Sequence, residues 1–468
     1  MSYKAAVARM YALGHELANA PPHKFDLAHV RVLLGALNHP ECRFPGVLIA
    51  GTNGKGSTAA TLASILRASG LRTGLYTSPH LVRINERIRI SGEEISDDDF
   101  ALLHDVVDRT AERLVEEGEL PWHPSFFEML TAIAFEHFAQ NKVEIAVLEV
   151  GMGGRLDATN VIEPRVSVIT DISLDHQKFL GDTVPEIARE KAGIIRPGGV
   201  VVTLPQQPQA NDVIGNTILD LAAQGVSAVP YVPPVSLGSE QYFVLAREKP
   251  SIAEIAEQQV EKSNTKAGAF LSRYPLQVMG RQILVETPLV GRHQLRNVAL
   301  AIATAEVLSH QGFAITPQTI EHGIRETQWP GRFHVIPAKG GAPEYVFDVA
   351  HNPAGAWALR STLSACYEDR PLTFVFGAMR DKAIGEMAEI LFPLAKRVMA
   401  TRADNPRSAT PDEIREAAAR TATDIEEAMD VGSALDRVRS LAGTQDVVVL
   451  TGSIYIVGEA MRILGLKV

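Results

Sequence analysis

A chain of 468 residues, at roughly 150 residues per domain, holds two or three compact units, which excludes a disulfide-stapled miniprotein or an isolated binding module. Its 46% hydrophobic and 21% charged residues are those of an ordinary globular protein, and a net charge of -10 argues against broad binding to nucleic acid or an anionic membrane. Only Cys42 and Cys366 occur, and no signal-peptide core or bilayer-length apolar run is found, so a soluble cytoplasmic protein is the default expectation; a monomer is expected alongside.

Short Val/Ile/Leu runs alternate with helical patterns, which predicts an α/β fold with mainly parallel strands. Val47 to Ala50 reads as a buried strand that ends in the glycine-rich turn Gly51 to Gly56. A helix from about Ser57 to Ser69 follows, with Gly70 placed to stop it. Ser96 with Asp99, Ser125 with Glu128 and Thr183 with Glu186 each put a capping hydroxyl three residues before a carboxylate, so helices open near residues 97, 126 and 184. Strands are expected at Ile145 to Val150, Val166 to Thr170 and Val200 to Leu204, completing a large doubly wound unit. The stretch 232–290 breaks the rhythm and reads as a small β-rich elaboration, with a mobile polar loop around Glu254 to Lys266 and a strand at Gln282 to Glu286. A helix over His293 to about Ser309 restores the pattern. Strands at Tyr345 to Val349, Leu372 to Phe376, Val398 to Thr401 and Val447 to Leu450 then form a smaller Rossmann-like α/β domain. The boundary is set near residues 325 to 332, giving domains 1–328 and 329–468.

The sharpest local signal is Gly51-Thr52-Asn53-Gly54-Lys55-Gly56-Ser57, a phosphate-binding loop between a strand and a helix. Glycines let backbone N–H groups turn inward, the helix N-terminus adds positive charge, Lys55 reaches the terminal phosphates and Ser57 suits a magnesium ion. The pattern departs from the standard one, since Ile49 stands where its first glycine would be and Gly56 separates Lys55 from Ser57. Glu149 closes a buried strand at the sheet edge where α/β ligands bind, a placement suited to the nucleotide's magnesium. Asp171, Asp175 and His176 follow the next strand, and Glu190 and Lys191 lie in a helix beyond. Taken singly, each of these has a bland alternative: a solvated strand end, a structural histidine, or a lysine paired with Glu186 or Glu190.

A resemblance draws them together. Gly51 to Ser57, Thr77-Ser78-Pro79-His80-Leu81, Glu149 to Asn160, Asp175-His176 with Leu180-Gly181, and Glu190 to Ile194 occur in the order found in the folylpolyglutamate synthase/dihydrofolate synthase family. So do Gly291-Arg292-His293-Gln294 with Asn297, Pro330-Gly331-Arg332, and Asp348 to Pro353. The family belongs to the Mur ligase superfamily of ATP-dependent amide-forming enzymes. The resemblance implies that a folate or dihydropteroate carboxylate attacks the γ-phosphate of ATP, and that the amino group of L-glutamate then displaces phosphate from the acyl phosphate, within folate biosynthesis and one-carbon metabolism.

Bringing a carboxylate beside a triphosphate costs about 4 kcal/mol for each like-charge contact near 4 Å at an effective dielectric of 20, so cations must offset it. The resemblance implies Lys55, Arg332 and two magnesium ions in that role, one ion on Ser57 and Glu149 and a second on Glu149 and His176. It implies further that Lys191 is carbamylated and orients the second metal. Asn53, Gly54, Lys55, Gly56 and Ser57 would cradle the ATP phosphates. Arg292 and Asn297 would meet the adenine, Asp348 and His351 the ribose and phosphates, and Arg332 the phosphates. Thr77, Ser78, Pro79 and His80 would receive the pterin, and Asp157, within Arg155-Leu156-Asp157, would help to seat dihydropteroate. Phe126 and Phe127 read as core. Because these residues fall on both sides of the boundary, domain closure is expected. A murein-type ligase and a non-catalytic nucleotide-binding protein are the competing readings.

Overall fold

The computed structural model describes residues 1–14, 26–234, 243–245, 270–443 and 445–466. By internal contacts the chain divides into a first unit of Met1–Val232, Gln277–Ile283 and Arg296–Glu326, and a second of Pro233–Leu276, Leu284–Leu295 and Thr327–Val468. The polar loop expected around Glu254 to Lys266 lies outside the described residues.

The first unit is built on β1 (Gly46–Ala50), β2 (Thr73–Tyr76), β3 (Ile88–Ile90), β4 (Glu93–Glu94), β5 (Ile145–Glu149), β6 (Pro164–Ile169), β7 (Val200–Thr203) and β8 (Gln224–Ser227), in spatial order β4-β3-β2-β5-β1-β6-β7-β8. From β2 to β8 across the sheet every pairing is parallel, while β3 and β4 add an antiparallel edge. Val47, Leu48, Ile49, Ala146, Val147 and Leu148 are fully buried, as continuous apolar runs covered on both sheet faces must be. Each such Val, Leu or Ile contributes about 1.5–3 kcal/mol of burial.

The helices of this unit are α1 (Tyr3–Ala12), α2 (Leu27–Ala36), α3 (Lys55–Ala68), α4 (Asp97–Glu116), α5 (Phe126–Gln140), α6 (Gln177–Leu180), α7 (Val184–Ala192) and α8 (Pro208–Asp220). The three caps expected from sequence all form: Ser96 Oγ, Ser125 Oγ and Thr183 Oγ1 accept the N–H of Asp99, Glu128 and Glu186, and the last two are reciprocal boxes. Gly70 ends α3 with φ +82, where the chain turns left-handed at no steric cost. Helix α3 begins at Lys55 rather than Ser57, so the lysine and Gly56 belong to the helix's first turn.

The irregular stretch contributes a three-stranded sheet, β11 (Arg281–Thr287), β10 (Phe270–Val278) and β9 (Phe243–Leu245), in that order. Helix Arg292–His310 then begins one residue earlier than the periodicity suggests. The second unit's sheet runs β12 (His334–Ile336), β13 (Glu344–Phe347), β17 (Val447–Thr451), β14 (Leu372–Phe376), β15 (Ala395–Ala400), β16 (Ile425–Glu427), with only β12 antiparallel. Strand β15 starts at Ala395 rather than Val398 because its first half is only partly buried and carries Lys396 and Arg397, which mask the apolar signal.

Candidate active site

Four parallel neighbours, β2, β5, β1 and β6, deliver their following loops to one sheet edge, and each loop carries a motif singled out in the sequence. After β1 comes the phosphate loop. Its Gly54 has φ +90, and a Cβ there would stand 2.2 Å from Asn297 Oδ1, so only glycine allows the loop to lie under that side chain. Asn297 is 3% exposed. The loop is also latched to the end of β6: the Asp171 carbonyl accepts N–H from Thr52 (2.8 Å) and Asn53 (3.2 Å), and Thr52 Oγ1 donates to the Ser173 carbonyl at 3.0 Å. Lys55 Nζ donates to the carbonyls of Gly51 (3.1 Å) and Thr52 (3.3 Å), and Ser57 is buried in the first turn of α3.

Arg296, which the sequence reading passed over, supports this latch. Its guanidinium grips the Asp171 carboxylate at 2.6 and 3.2 Å and donates to the Pro205 carbonyl at 3.0 Å. Arg296→Lys cannot keep the two-pronged geometry and is expected to cost about 0.5–1.5 kcal/mol, with KM for ATP rising severalfold and kcat changing less. Denaturant unfolding and ATP saturation curves measure both; an unchanged KM would remove the supporting role.

Glu149 ends β5, in register with Ile49, and is 5% exposed. Its Oε2 accepts the Ser78 N–H at 3.1 Å, which ties the β5 end to the loop after β2. In the following turn, a Cβ on Gly154 would stand 2.8 Å from the Glu190 carbonyl, so glycine lets the loop touch α7. Asp157 is buried, and its carboxylate is taken up by its own loop: Met152 N–H at 3.0 Å on one oxygen, Thr159 N–H at 3.0 Å and Thr159 Oγ1 at 2.6 Å on the other. Burial pushes its pKa up against those bonds. The carboxylate therefore organises the turn directly.

Lys191 pairs with neither Glu186 nor Glu190. Glu186 caps α7 through Thr183, and Glu190 holds Arg155 at 2.9 Å. Instead the Lys191 side chain is buried, and Nζ donates to the Gly51 carbonyl at 2.8 Å, so Lys55 and Lys191 meet on one oxygen of the phosphate loop. Burial first, and the Lys55 charge second, pull its pKa down to about 7, with Asp175 and Asp157 opposing. His176 precedes α6 with φ 52, left-handed for a non-glycine residue. Its N–H donates to Asp175 Oδ1 at 2.8 Å, and its Nε2 lies 3.8 Å from Asp175 Oδ2.

After β2, Thr77 is buried and its N–H donates to the Arg87 carbonyl at 3.0 Å. Ser78 and His80 are half-buried, and Pro79 is exposed. His80 sits between two residues absent from the sequence reading: Arg87 Nε donates to Nδ1 at 2.8 Å, and Tyr11 OH lies 3.1 Å from Nε2. An arginine nitrogen can only donate, so Nδ1 accepts and the imidazole hydrogen is on Nε2, facing Tyr11. Arg87 is 3% exposed and lies 5.4 Å over the Phe126 ring, on which Tyr11 stacks at 5.8 Å. A buried arginine invites notice, but in sequence Arg87 stands among alternating arginines and isoleucines like any edge-strand residue. Phe126 is core as expected, whereas Phe127 is half-buried, and a Cβ on Gly151 would meet its ring at 2.6 Å.

Arg292 and Asn297 lie five residues apart on one helix, about 140° around its axis, so they do not share a face. Arg292 is exposed and belongs to the second unit; Asn297 belongs to the first. In the second unit, Asp348 follows β13 and is buried, accepting N–H from Phe333 and Ala350, both at 2.9 Å. Burial pushes its pKa up while the Arg332 charge draws it down. Arg332 Nη1 donates to the Gly331 carbonyl at 3.3 Å. His351 Nδ1 is 2.9 Å from the Val349 carbonyl, an acceptor, so Nδ1 carries the hydrogen and Nε2 is the accepting nitrogen. Asn352 then caps the Pro353–Cys366 helix through the Gly355 N–H.

Known proteins share this arrangement. Residues 126–224 match the Mur ligase middle domain, and residues 331–454 match the Mur ligase glutamate ligase domain. The protein is thus an ATP-dependent ligase that forms a C–N bond. The dihydrofolate synthase/folylpolyglutamate synthase of Bacillus subtilis is 32% identical over 443 residues, 94% of this chain and 95% of the relative. Mycobacterium tuberculosis folylpolyglutamate synthase, solved with ADP and AMPPCP, superposes with a TM-score of 0.81 at 31% identity, covering 99% of both chains. A folylpolyglutamate synthase–AMPPCP–folate complex gives 0.76 at 31% identity over 99% of this chain and 100% of that one, and the folylpolyglutamate synthase of Lacticaseibacillus casei is 34% identical over 473 residues, 99% of each chain. The chain belongs to the folylpolyglutamate synthase/dihydrofolate synthase family.

Proposed function

We propose that the protein joins L-glutamate to a reduced folate through an acyl phosphate and that it also converts dihydropteroate to dihydrofolate. The observation that carries this reading is the meeting of four motifs at the ends of β2, β5, β1 and β6, where a phosphate loop, a buried carboxylate and the Ser78 loop share one sheet edge. The double name of the Bacillus subtilis relative supports the second activity.

In this mechanism a substrate carboxylate oxygen attacks the γ-phosphorus of ATP and ADP leaves. The glutamate amine then attacks the acyl carbon, phosphate leaves, and the amine proton passes to solvent or phosphate. Asn53 to Ser57 bind the triphosphate with N–H groups and the Lys55 ammonium. Asn297 packs on Gly54 of that loop and is assigned to the adenine. Arg292, Arg332, Asp348 and His351 are assigned to the nucleotide, Arg332 with positive charge and His351 Nε2 as an acceptor. Thr77 to His80 receive the pterin, while Asp157 acts by keeping its loop in shape.

Ser57 and Glu149 offer two buried oxygen donors, which fits magnesium; such an ion would screen the charge of carboxylate from triphosphate. His176 is a nitrogen donor and fits a hard ion less well on chemistry alone. Carbamylation of Lys191 would supply the missing oxygens, and a lysine whose pKa is near 7 is half neutral at neutral pH, as attack on CO2 requires.

ADP release with glutamate and either dihydropteroate or tetrahydrofolate tests the reading. Release with both is expected. Release with tetrahydrofolate alone removes the dihydrofolate synthase half, and release with neither overturns the proposal.

A further inference from the structure

The turn that leads into β1 carries chemistry the ligase reaction does not use. His39, Glu41 and Cys42 bring a ring nitrogen, a carboxylate oxygen and a thiol within 4.8 Å of one another. His39 Nδ1 is 2.9 Å from Glu41 Oε1, and Cys42 Sγ is 3.9 Å from the same oxygen. One 3-10 turn, Pro40–Cys42, with proline at its start, sets all three from a stretch of four residues. His39 and Cys42 open to solvent, but the Glu41 side chain is only 9% exposed.

The Glu41 carboxylate is half-served. Oε1 meets the histidine and the thiol, while Oε2 is buried and has no hydrogen-bond partner among the described residues. Leaving such an acceptor unsatisfied destabilises the fold, the more so when it is ionised. The neighbouring Arg43 donates to the Asn38 carbonyl at 2.9 Å. A cation bound between the three side chains would take Oε1, and its positive charge would offset the cost of burying the carboxylate with Oε2 unpaired.

We propose that His39, Glu41 and Cys42 bind a zinc-class divalent transition metal, with water as the fourth ligand. Bonds of about 2.0–2.3 Å to nitrogen, oxygen and sulfur set the donors of a tetrahedral site about 3.3–3.7 Å apart. The sulfur–oxygen separation is close to this, and the nitrogen–oxygen pair has to open by about half an ångström, exchanging its hydrogen bond for the metal. A thiolate with an imidazole selects a softer ion than the oxygen pair Ser57 and Glu149, so the two sites take different metals. On binding, the Cys42 thiol loses its proton to solvent, and the His39 hydrogen sits on Nε2. The metal would tie the turn together just ahead of the strand that ends in the phosphate loop, raising the thermal midpoint without entering the reaction.

Cobalt(II) titration of the full chain, freed of metal, tests this. Because Cys42 and Cys366 are the chain's two cysteines, any thiolate-to-cobalt charge-transfer band has two possible sources. One equivalent of cobalt is expected to give that band with the visible spectrum of a tetrahedral ion, zinc to displace it, and the thermal midpoint to rise. Cys42→Ser, at an exposed position, should fold normally by circular dichroism and lose the band; Cys366→Ser should keep it; and Glu41→Gln should weaken cobalt binding. Absence of a saturable band, or a band that survives Cys42→Ser, overturns the proposal.

Discussion

Replacing Lys191 with methionine should make the protein more stable at neutral pH and much less active. The lysine is buried with its pKa lowered from 10.5 to about 7, so between those values the unfolded chain holds a proton that the folded chain releases. Below pH 7 the burden on folding is fully present, and it fades as pH rises towards 10.5. At about 1.36 kcal/mol per unit, it amounts to roughly 4 kcal/mol at pH 7 and roughly 2 kcal/mol at pH 9. Denaturant unfolding in degassed buffer should therefore show Lys191→Met more stable than the parent, by a margin that shrinks by ~2 kcal/mol between pH 7 and pH 9. A margin independent of pH would mean that the lysine is not neutralised by burial. On the proposed role of Lys191 as an orienter of metal ligands, turnover should fall by about 10–100-fold. Lys191→Ala separates the two chemical forms: acetate or formate should restore part of its activity if the working group is the carbamate, whereas rescue by small amines alone would assign the role to the ammonium.

Gly54→Ala should damage the phosphate loop severely. A backbone at φ +90 disfavours any side chain, and the new Cβ would lie 2.2 Å from Asn297 Oδ1 and 2.9 Å from its Cγ. Asn297 is almost wholly buried, so moving it aside displaces packed neighbours. Strain and overpacking together should cost about 2–4 kcal/mol, with ATP affinity falling at least tenfold. Adding Asn297→Ala removes the collision but leaves the strained backbone. The double variant should thus recover part of the lost stability, as thermal unfolding of the four proteins in the cycle would measure. A single variant with parental stability and parental ATP binding would show that the loop does not need this approach.

The parts that sequence made legible are those governed by near neighbours. The caps at Ser96, Ser125 and Thr183 form because a hydroxyl and a carboxylate three residues apart satisfy the same helix's first N–H groups, which needs nothing from elsewhere. Buried parallel strands were readable because both faces must be apolar, as in Ile145 to Leu148. Elements with mixed exposure were not: α8 buries only Ala210 and Ile214, and β8 buries no residue fully, so neither shows a sharp period.

Apolar runs alternating with helical patterns by themselves determined an α/β protein with a phosphate loop, because those features depend on residue type and short spacing, while the folate-branch ligase and its candidate residues came from the resemblance of eight ordered motifs to that family. Only the tertiary structure decided which candidates meet. Strand order β2-β5-β1-β6 brings Ser78 to Glu149 and Asp171 to the phosphate loop across gaps of 71 residues and more, and no local pattern encodes that pairing. The same holds for Lys191, which lies 140 residues from the Gly51 carbonyl it reaches. Its lowered pKa arises from burial and the Lys55 charge, both products of packing. Packing also gave Asp157 back to its own loop and supplied His80 with Tyr11 and Arg87, since hydrogen-bond partners are chosen by proximity in space.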